Sequence, residues 1–226
     1  MNLEAHYSKL YNESINNISS GNYEIDDLID SSLDKRFGIT LLLRPSIEVK
    51  NEIQKFINQL KKVEPHQYYY PSSDIHITIM SIISCYDGFD ISKIDLSKYT
   101  ELIKNCLIKN KNITIQFKGL TASNSCIMLQ GFMNDTTIND IREKLRTAFK
   151  NSDLEQSLDK RYAIQTAHST IVRFRKKLEN TNEFLKTVDQ FKNHDFGSFQ
   201  VKEFELVFND WYQREENTKL LETFLM

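Results

Sequence analysis

Asp74-Ile75-His76-Ile77-Thr78-Ile79-Met80-Ser81-Ile82 decides how the chain is read, and Ala167-His168-Ser169-Thr170-Ile171-Val172-Arg173-Phe174 repeats its central pattern. Both stretches are short and rich in β-branched and aliphatic residues, the composition of a strand. In the first, alternation sends Ile75, Ile77 and Ile79 to one face and His76 and Thr78 to the other. An imidazole and a hydroxyl then stand side by side, with Cα atoms roughly 6.5 to 7 Å apart, within reach of different oxygens of one phosphate. His168 and Thr170 share the same parity. A lone histidine two residues before a threonine is more often a packed or surface residue. A second copy, in a chain with 5 histidines and in matching strand context, shifts the reading to chemistry.

That chemistry has a reason to be duplicated. Opening a phosphodiester takes a base to deprotonate the attacking oxygen and an acid to protonate the leaving oxygen, and histidine titrates near the working pH. Two histidines on opposite sides of phosphorus meet both needs. Threonine hydroxyls can donate to the non-bridging oxygens, so the scheme requires no metal and no cofactor. The candidate catalytic residues are therefore His76, Thr78, His168 and Thr170.

Outward from these strands, helices and strands interleave. Upstream, Phe37 to Leu43 is nearly all apolar and Pro45 ends it, a buried strand. Ile47 to Val63 carries Ile53, Phe56, Ile57 and Leu60 at helical spacing and stops before Pro65. A tyrosine-rich loop, Tyr68 to Tyr70, leads into the predicted strand Asp74 to Ile82. Leu96 to Lys109 reads as a helix, Ile113 to Leu120 and Cys126 to Phe132 as a hairpin turning through Thr121 to Ser125, and Thr136 to Lys150 as a helix. Ala167 to Phe174 is a strand, Glu179 to Phe191 a helix, and Phe199 to Phe208 one long strand, with another at the carboxyl end. The hairpin makes the sheets antiparallel or mixed. The fold class is α+β, in two similar halves.

The first 35 residues form a separate helical extension. Leu3, Tyr7, Leu10, Tyr11, Ile15 and Ile18 line one face of a helix from Glu4 to Ser19, which Ser20 and Gly21 stop. The acidic segment Glu24 to Asp34 is a candidate second short helix.

At 226 residues and 40% hydrophobic content the chain can bury a substantial core, and only 3 prolines and 6 glycines leave little room for long linkers. A net charge of -2 gives no global pull toward nucleic acid or anionic lipid. The amino terminus has no apolar block of signal-peptide length, and runs such as Ile39 to Leu43 are far too short to span a bilayer. Cys85, Cys106 and Cys126 are odd in number and lack CxxC spacing, which argues against a disulfide framework and a cysteine zinc site. A soluble, cytoplasmic protein without membrane partners is expected.

Two HxT motifs about ninety residues apart, each followed by an apolar residue, resemble those of the two-histidine phosphoesterase superfamily, which includes cyclic phosphodiesterases and 2'-5' RNA ligase-like proteins. The resemblance covers Arg36 to the carboxyl end. It implies two lobes related by a pseudo-twofold axis, each with a sheet inside and helices outside, and both HxT strands lining the cleft between them. It also implies a 2',3'-cyclic phosphate, or a related nucleotide or RNA-end phosphodiester, as substrate. Reversible 2'-5' joining of RNA ends and a non-catalytic nucleotide- or RNA-binding module are the alternatives.

Several further residues are weighed. Lys160, Arg161, Arg173, Arg175, Lys176 and Lys177 surround the second motif with positive charge. Strict alternation puts Arg173 on the face opposite His168, so no catalytic role is expected of it. Among Tyr68, Tyr69, Tyr70 and Tyr86, core packing is the commoner fate, and Tyr70 and Tyr86 are the candidates for stacking on a substrate base. Trp211 and Tyr212 either cover the cleft or close the core. His6, His66 and His194 have no HxT spacing and receive no role. HExxH, GxxxxGK[ST] and GxGxxG are missing, which disfavours zincin, P-loop and dinucleotide-binding readings.

Overall fold

The computed structural model describes residues 2–108, 111–160 and 163–226; Lys109, the predicted end of one helix, and Arg161 of the basic segment lie outside them. The first helix, α1 (Leu3–Ser19), starts where the Asn2 side chain accepts from Ala5 N at 3.0 Å. Its buried residues, Tyr7, Tyr11, Ser14 and Ile18, form one stripe at helical spacing. The segment 24–34 is a run of turns, not the predicted helix. Its backbone groups are engaged elsewhere: Glu24 N donates to Asn124 O and Asp26 N to Phe174 O, while the Asp26 carboxylate takes Leu28 N. Side chains that bond their own backbone in this way compete with the helix ladder.

Thereafter come β1 (Arg36–Leu43), α2 (Ile47–Val63), β2 (Tyr68–Tyr69), β3 (Ile77–Asp87), α3 (Leu96–Cys106), β4 (Thr114–Ser123), β5 (Cys126–Met133) and α4 (Thr137–Lys150). The chain continues through β6 (Ser169–Arg173), α5 (Thr181–Gln190), β7 (Asp195–Gln200), β8 (Glu203–Asp210) and β9 (Lys219–Leu225). Two antiparallel sheets result, one ordered β3-β1-β8-β9 and the other β2-β6-β5-β4-β7. No helix among the described residues is long and apolar enough to cross a membrane.

The lobes are interlaced rather than successive. Helix α2 follows a strand of the four-stranded sheet but packs on β7 and α5, whereas α4 follows β5 of the other sheet and packs on α3 and β3. Val49, Ile53, Phe56, Ile57 and Leu60 of α2 are buried in a core that also takes Ile39, Leu41 and Leu43 of β1 and Ile115 and Phe117 of β4. Helix α1 lies across β4, with Tyr7 edge-on to Phe132 and Ser14 Oγ donating to Ala122 O at 3.0 Å.

The predicted long strand Phe199 to Phe208 is two strands. Phe199 pairs with Ile115 in one sheet and Leu206 with Leu41 in the other, so the chain changes sheets at Val201 and Lys202. Both halves of that stretch meet apolar surroundings, so its hydropathy carries no mark of the crossing.

Candidate active site

Both HxT segments reach the same cleft between the sheets. His76, Thr78, His168 and Thr170 all line it, joined by Tyr70 and Arg173. Each histidine sits on the residue just before its strand rather than inside it: β3 begins at Ile77 and β6 at Ser169. Asp74 and Ile75, predicted as strand, belong to the preceding turn, where Asp74 N donates to Pro71 O.

Each imidazole is tied two residues back along the chain. His76 Nδ1 lies 2.7 Å from Asp74 O. A carbonyl only accepts, so Nδ1 carries the proton and the Nε2 lone pair is left for the cleft. His168 Nδ1 lies 2.6 Å from Thr166 Oγ1, a hydroxyl that can donate or accept, so this ring is free to hold either tautomer. Burial pulls both pKa values from 6.5 down to about 4. At His76 the Asp74 carbonyl opposes this, while the fields of Arg44, His168 and Arg173 add to it. At His168 the charges of Arg142 and His6 act in the same direction as burial.

Arg142, from α4, fastens the two motif segments together. Its Nη2 donates to Thr78 O at 3.0 Å and to Thr166 O at 2.9 Å, its Nε to Ile79 O and its Nη1 to Asn139 Oδ1. The side chain is fully buried, and desolvation lowers its pKa to about 10, which leaves it charged at neutral pH. Gly131 makes a second accommodation, since a Cβ there would overlap the Ala167 carbonyl immediately before His168.

Arg173 overturns the expectation from alternation. Val172 pairs with Ile127 and Thr170 with Met128, so Ile171 is an extra residue, and the bulge returns Arg173 to the face of Thr170. Arg173 Nε donates to Tyr70 OH at 2.9 Å, and its guanidinium lies 5.7 Å from the centre of the Tyr212 ring. Tyr70 is 1% exposed, so it borders the cleft as a holder of Arg173 more than as an open stacking surface. Tyr86 does not line the cleft: its hydroxyl bonds Glu155 on an exposed surface and its ring packs edge-on to Phe89. Trp211 does, with the Arg36 guanidinium 4.5 Å over its ring, whereas Tyr212 is buried and donates to Asp26. Of the basic segment, Lys160 reaches the cleft, while Arg175 turns away to Asp30 and His66 O. His6, His66 and His194 are not among the lining residues.

Sequence reasoning missed Arg142, Thr166, Asn209 and Gln213 as well as Arg173. Asn209 and Gln213 line the cleft beside Trp211. Among the described residues, the two non-glycine residues at positive φ are Asp159 (55°) and Gln213 (61°), and both line this cleft. Such backbone costs roughly 1 kcal/mol per residue and is held where the surroundings fix it. Among the described residues, no group of three His, Cys, Asp or Glu side chains is placed to hold a metal ion.

The fold has clear relatives among solved structures. Escherichia coli LigT, in its complex with 3'-AMP, superposes with a TM-score of 0.57 at 13% identity, over 84% of this chain and 98% of that one. TT0787 of Thermus thermophilus gives 0.57 at 14% identity, over 84% and 97%, and the Agrobacterium tumefaciens protein ATU0111 gives 0.59 at 11%, over 92% and 97%. A comparison with curated proteins finds no match. The family model described as "AKAP7 2'5' RNA ligase-like domain" matches residues 39–219. With that match spanning most of its length and a LigT-like fold, the chain belongs to the AKAP7 2'5' RNA ligase-like family of the two-histidine phosphoesterase superfamily.

Proposed function

We propose that the chain opens a 2',3'-cyclic phosphate, or a closely related phosphodiester of a nucleotide or RNA end, by acid/base catalysis from His76 and His168 without a metal. The observation that carries this reading is the pairing itself. Two imidazoles line one cleft, each tied through Nδ1 two residues back and each with a threonine two residues ahead. One neutral imidazole takes a proton from the attacking water. The oxygen adds to phosphorus, the bond to the 2' or 3' oxygen breaks, and the other imidazolium delivers a proton to that leaving oxygen. Thr78 and Thr170 donate to the non-bridging oxygens, and the Arg173 guanidinium offsets their charge.

The reading is in keeping with LigT, which shares the fold and forms complexes with 3'-AMP and with phosphate. Joining of RNA ends through a 2'-5' bond is the same ring opening with the 5' hydroxyl of a second RNA end attacking phosphorus in place of water and the bond to the 3' oxygen breaking. The test is turnover of 2',3'-cyclic nucleotides in excess chelator. Sustained hydrolysis is expected; loss of activity on adding chelator, or no turnover of any cyclic nucleotide, would overturn the reading.

A further inference from the structure

Helix α1 lies before the residues 39–219 that the family model matches, yet one of its side chains reaches the second motif. Tyr7 is 1% exposed, its ring stands edge-on to Phe132 at 5.6 Å, and its carbonyl accepts from Thr121 Oγ1 at 3.1 Å. Its hydroxyl meets both backbone groups of Gly131, donating to Gly131 O at 3.2 Å and accepting from Gly131 N at 3.3 Å. The β5–β6 ladder ends at Leu129 and Ser169, and Gly131 backs directly onto the Ala167 carbonyl. Ala167 in turn links Thr166, whose hydroxyl anchors the imidazole, to His168.

A tyrosine hydroxyl has one hydrogen and two lone pairs. Tyr7 gives the hydrogen to Gly131 O and one lone pair to Gly131 N, so the other lone pair is left for a further donor. Burial pushes the Tyr7 pKa up to about 12, while the Gly131 backbone, the Thr166 hydroxyl, the Arg142 charge and the Ala167 backbone all pull it down. The Thr166 hydroxyl therefore sits between the tyrosine oxygen and His168 Nδ1, 2.6 Å from the latter. Its backbone is fixed by Arg142 Nη2, 2.9 Å from the Thr166 carbonyl oxygen, which leaves only the direction of the hydroxyl hydrogen to be set.

We infer that Tyr7 is a positioning residue for His168: by accepting a hydrogen bond from the Thr166 hydroxyl, it turns a Thr166 lone pair toward Nδ1 and leaves Nε2 unprotonated toward the cleft. This rests on the phosphoesterase reading for what Nε2 then does. Taken alone, the Thr166 hydroxyl permits two tautomers. With its hydrogen engaged by Tyr7 it only accepts, so Nδ1 carries the proton, as the Asp74 carbonyl dictates at His76. Both rings then offer the same nitrogen to the substrate, and a helix outside the matched family residues completes the catalytic centre.

The tautomer can be read without catalysis. His168 is neutral at pH 7, and nitrogen NMR of the full chain labelled at histidine, with its signals assigned by their loss in His168→Ala, should show the proton on Nδ1. A proton on Nε2 in the unaltered chain would overturn the inference, whether or not any variant folds. Tyr7→Phe frees the Thr166 hydroxyl to donate to Nδ1 and should move the His168 proton toward Nε2, with kcat for 2',3'-cyclic AMP down about tenfold and KM unchanged. Added to Thr166→Val it should cost nothing further, because Tyr7 acts through Thr166. Tyr11→Phe, which removes a hydroxyl of the same helix bonded to Asp189, should alter neither tautomer nor rate. An unchanged tautomer in Tyr7→Phe, or losses that multiply in the double variant, would overturn the inference. The expected tautomer shift without turnover of cyclic nucleotides by the wild-type chain would instead sink the phosphoesterase reading and leave the role of Tyr7 standing.

Discussion

The two HxT segments carry the same residues at the same spacing, yet the protein supports them differently. His76 leads into β3, which runs from Ile77 to Asp87, and its Nδ1 is anchored on a backbone carbonyl. His168 leads into β6, only five residues long and bulged at Ile171, and its Nδ1 is anchored on the Thr166 hydroxyl. The first anchor fixes one tautomer and the second permits two. The bulge also gives the second segment something the first lacks, a guanidinium three residues beyond its threonine and on the same face. A repeated motif thus supplies matched reacting groups, while its irregular copy supplies the charge.

The largest expected effect breaks the symmetry of roles. His76→Ala and His168→Ala should each lower kcat for 2',3'-cyclic AMP by roughly 10²- to 10⁴-fold. With a p-nitrophenyl phosphodiester, whose leaving group needs no proton, the variant lacking the acid should recover most of its rate and the variant lacking the base should not. Equal recovery by both would contradict the division of labour. Next, Arg173→Gln should cost about 10²-fold in kcat/KM, since it removes a cation that lines the cleft beside the HxT residues. A rate within twofold of the wild type would show that the bulge brings no charge to bear on the substrate.

Arg142 makes the two segments one unit, so Arg142→Met should strand the Thr78, Ile79 and Thr166 carbonyls together. Leaving buried acceptors unpaired costs about 1–3 kcal/mol each, and chemical denaturation should show a loss of at least that size. An unchanged denaturation midpoint would remove Arg142 as the fastener. A smaller effect sharpens the contrast between the anchors. Thr166→Val deletes the partner of His168 Nδ1 and should reduce kcat about tenfold, whereas the His76 anchor, being backbone, is immune to substitution.

The pH dependence follows from the two lowered pKa values, both about 4 in the free protein. Productive encounter needs one imidazole protonated and the other neutral, and above pH 4 the protonated member grows scarcer. The account predicts that kcat/KM increases as pH falls from 8 toward 5, as a pH–rate profile would show; a steady rise with pH over that range would contradict it. Stability moves the other way. In the unfolded chain these histidines take protons near pH 6.5, and in the folded protein only near 4, so melting temperature should drop as pH falls through that window.

Much of this was legible in the sequence because it is local. The helix from Ile47 to Val63 shows both its ends in the apolar spacing and the following proline, and the HxT pairs announce themselves by parity and repetition. What escaped depends on long-range partners. One extra residue at Ile171 reverses the face of Arg173, and no pattern of hydropathy reveals a bulge set by the register with β5. Arg142 looks like a solvent-facing residue of an amphipathic helix until the two motif segments close over it. The strand crossing at Val201 and the turns of 24–34 were hidden for the same reason: their hydrogen-bond partners lie far away in the chain. Asn209 and Gln213 belong to no motif, and only their place on the cleft wall singles them out.

The central claim is that His76 and His168 act on one phosphorus in one step. A double-mutant cycle on kcat/KM for 2',3'-cyclic AMP, with chelator present throughout, tests it most directly. If the imidazoles work as a pair, the variant lacking both should be no slower than the slower single variant. Losses that multiply, or a single variant that keeps the wild-type rate, would mean that the two rings do not share a transition state.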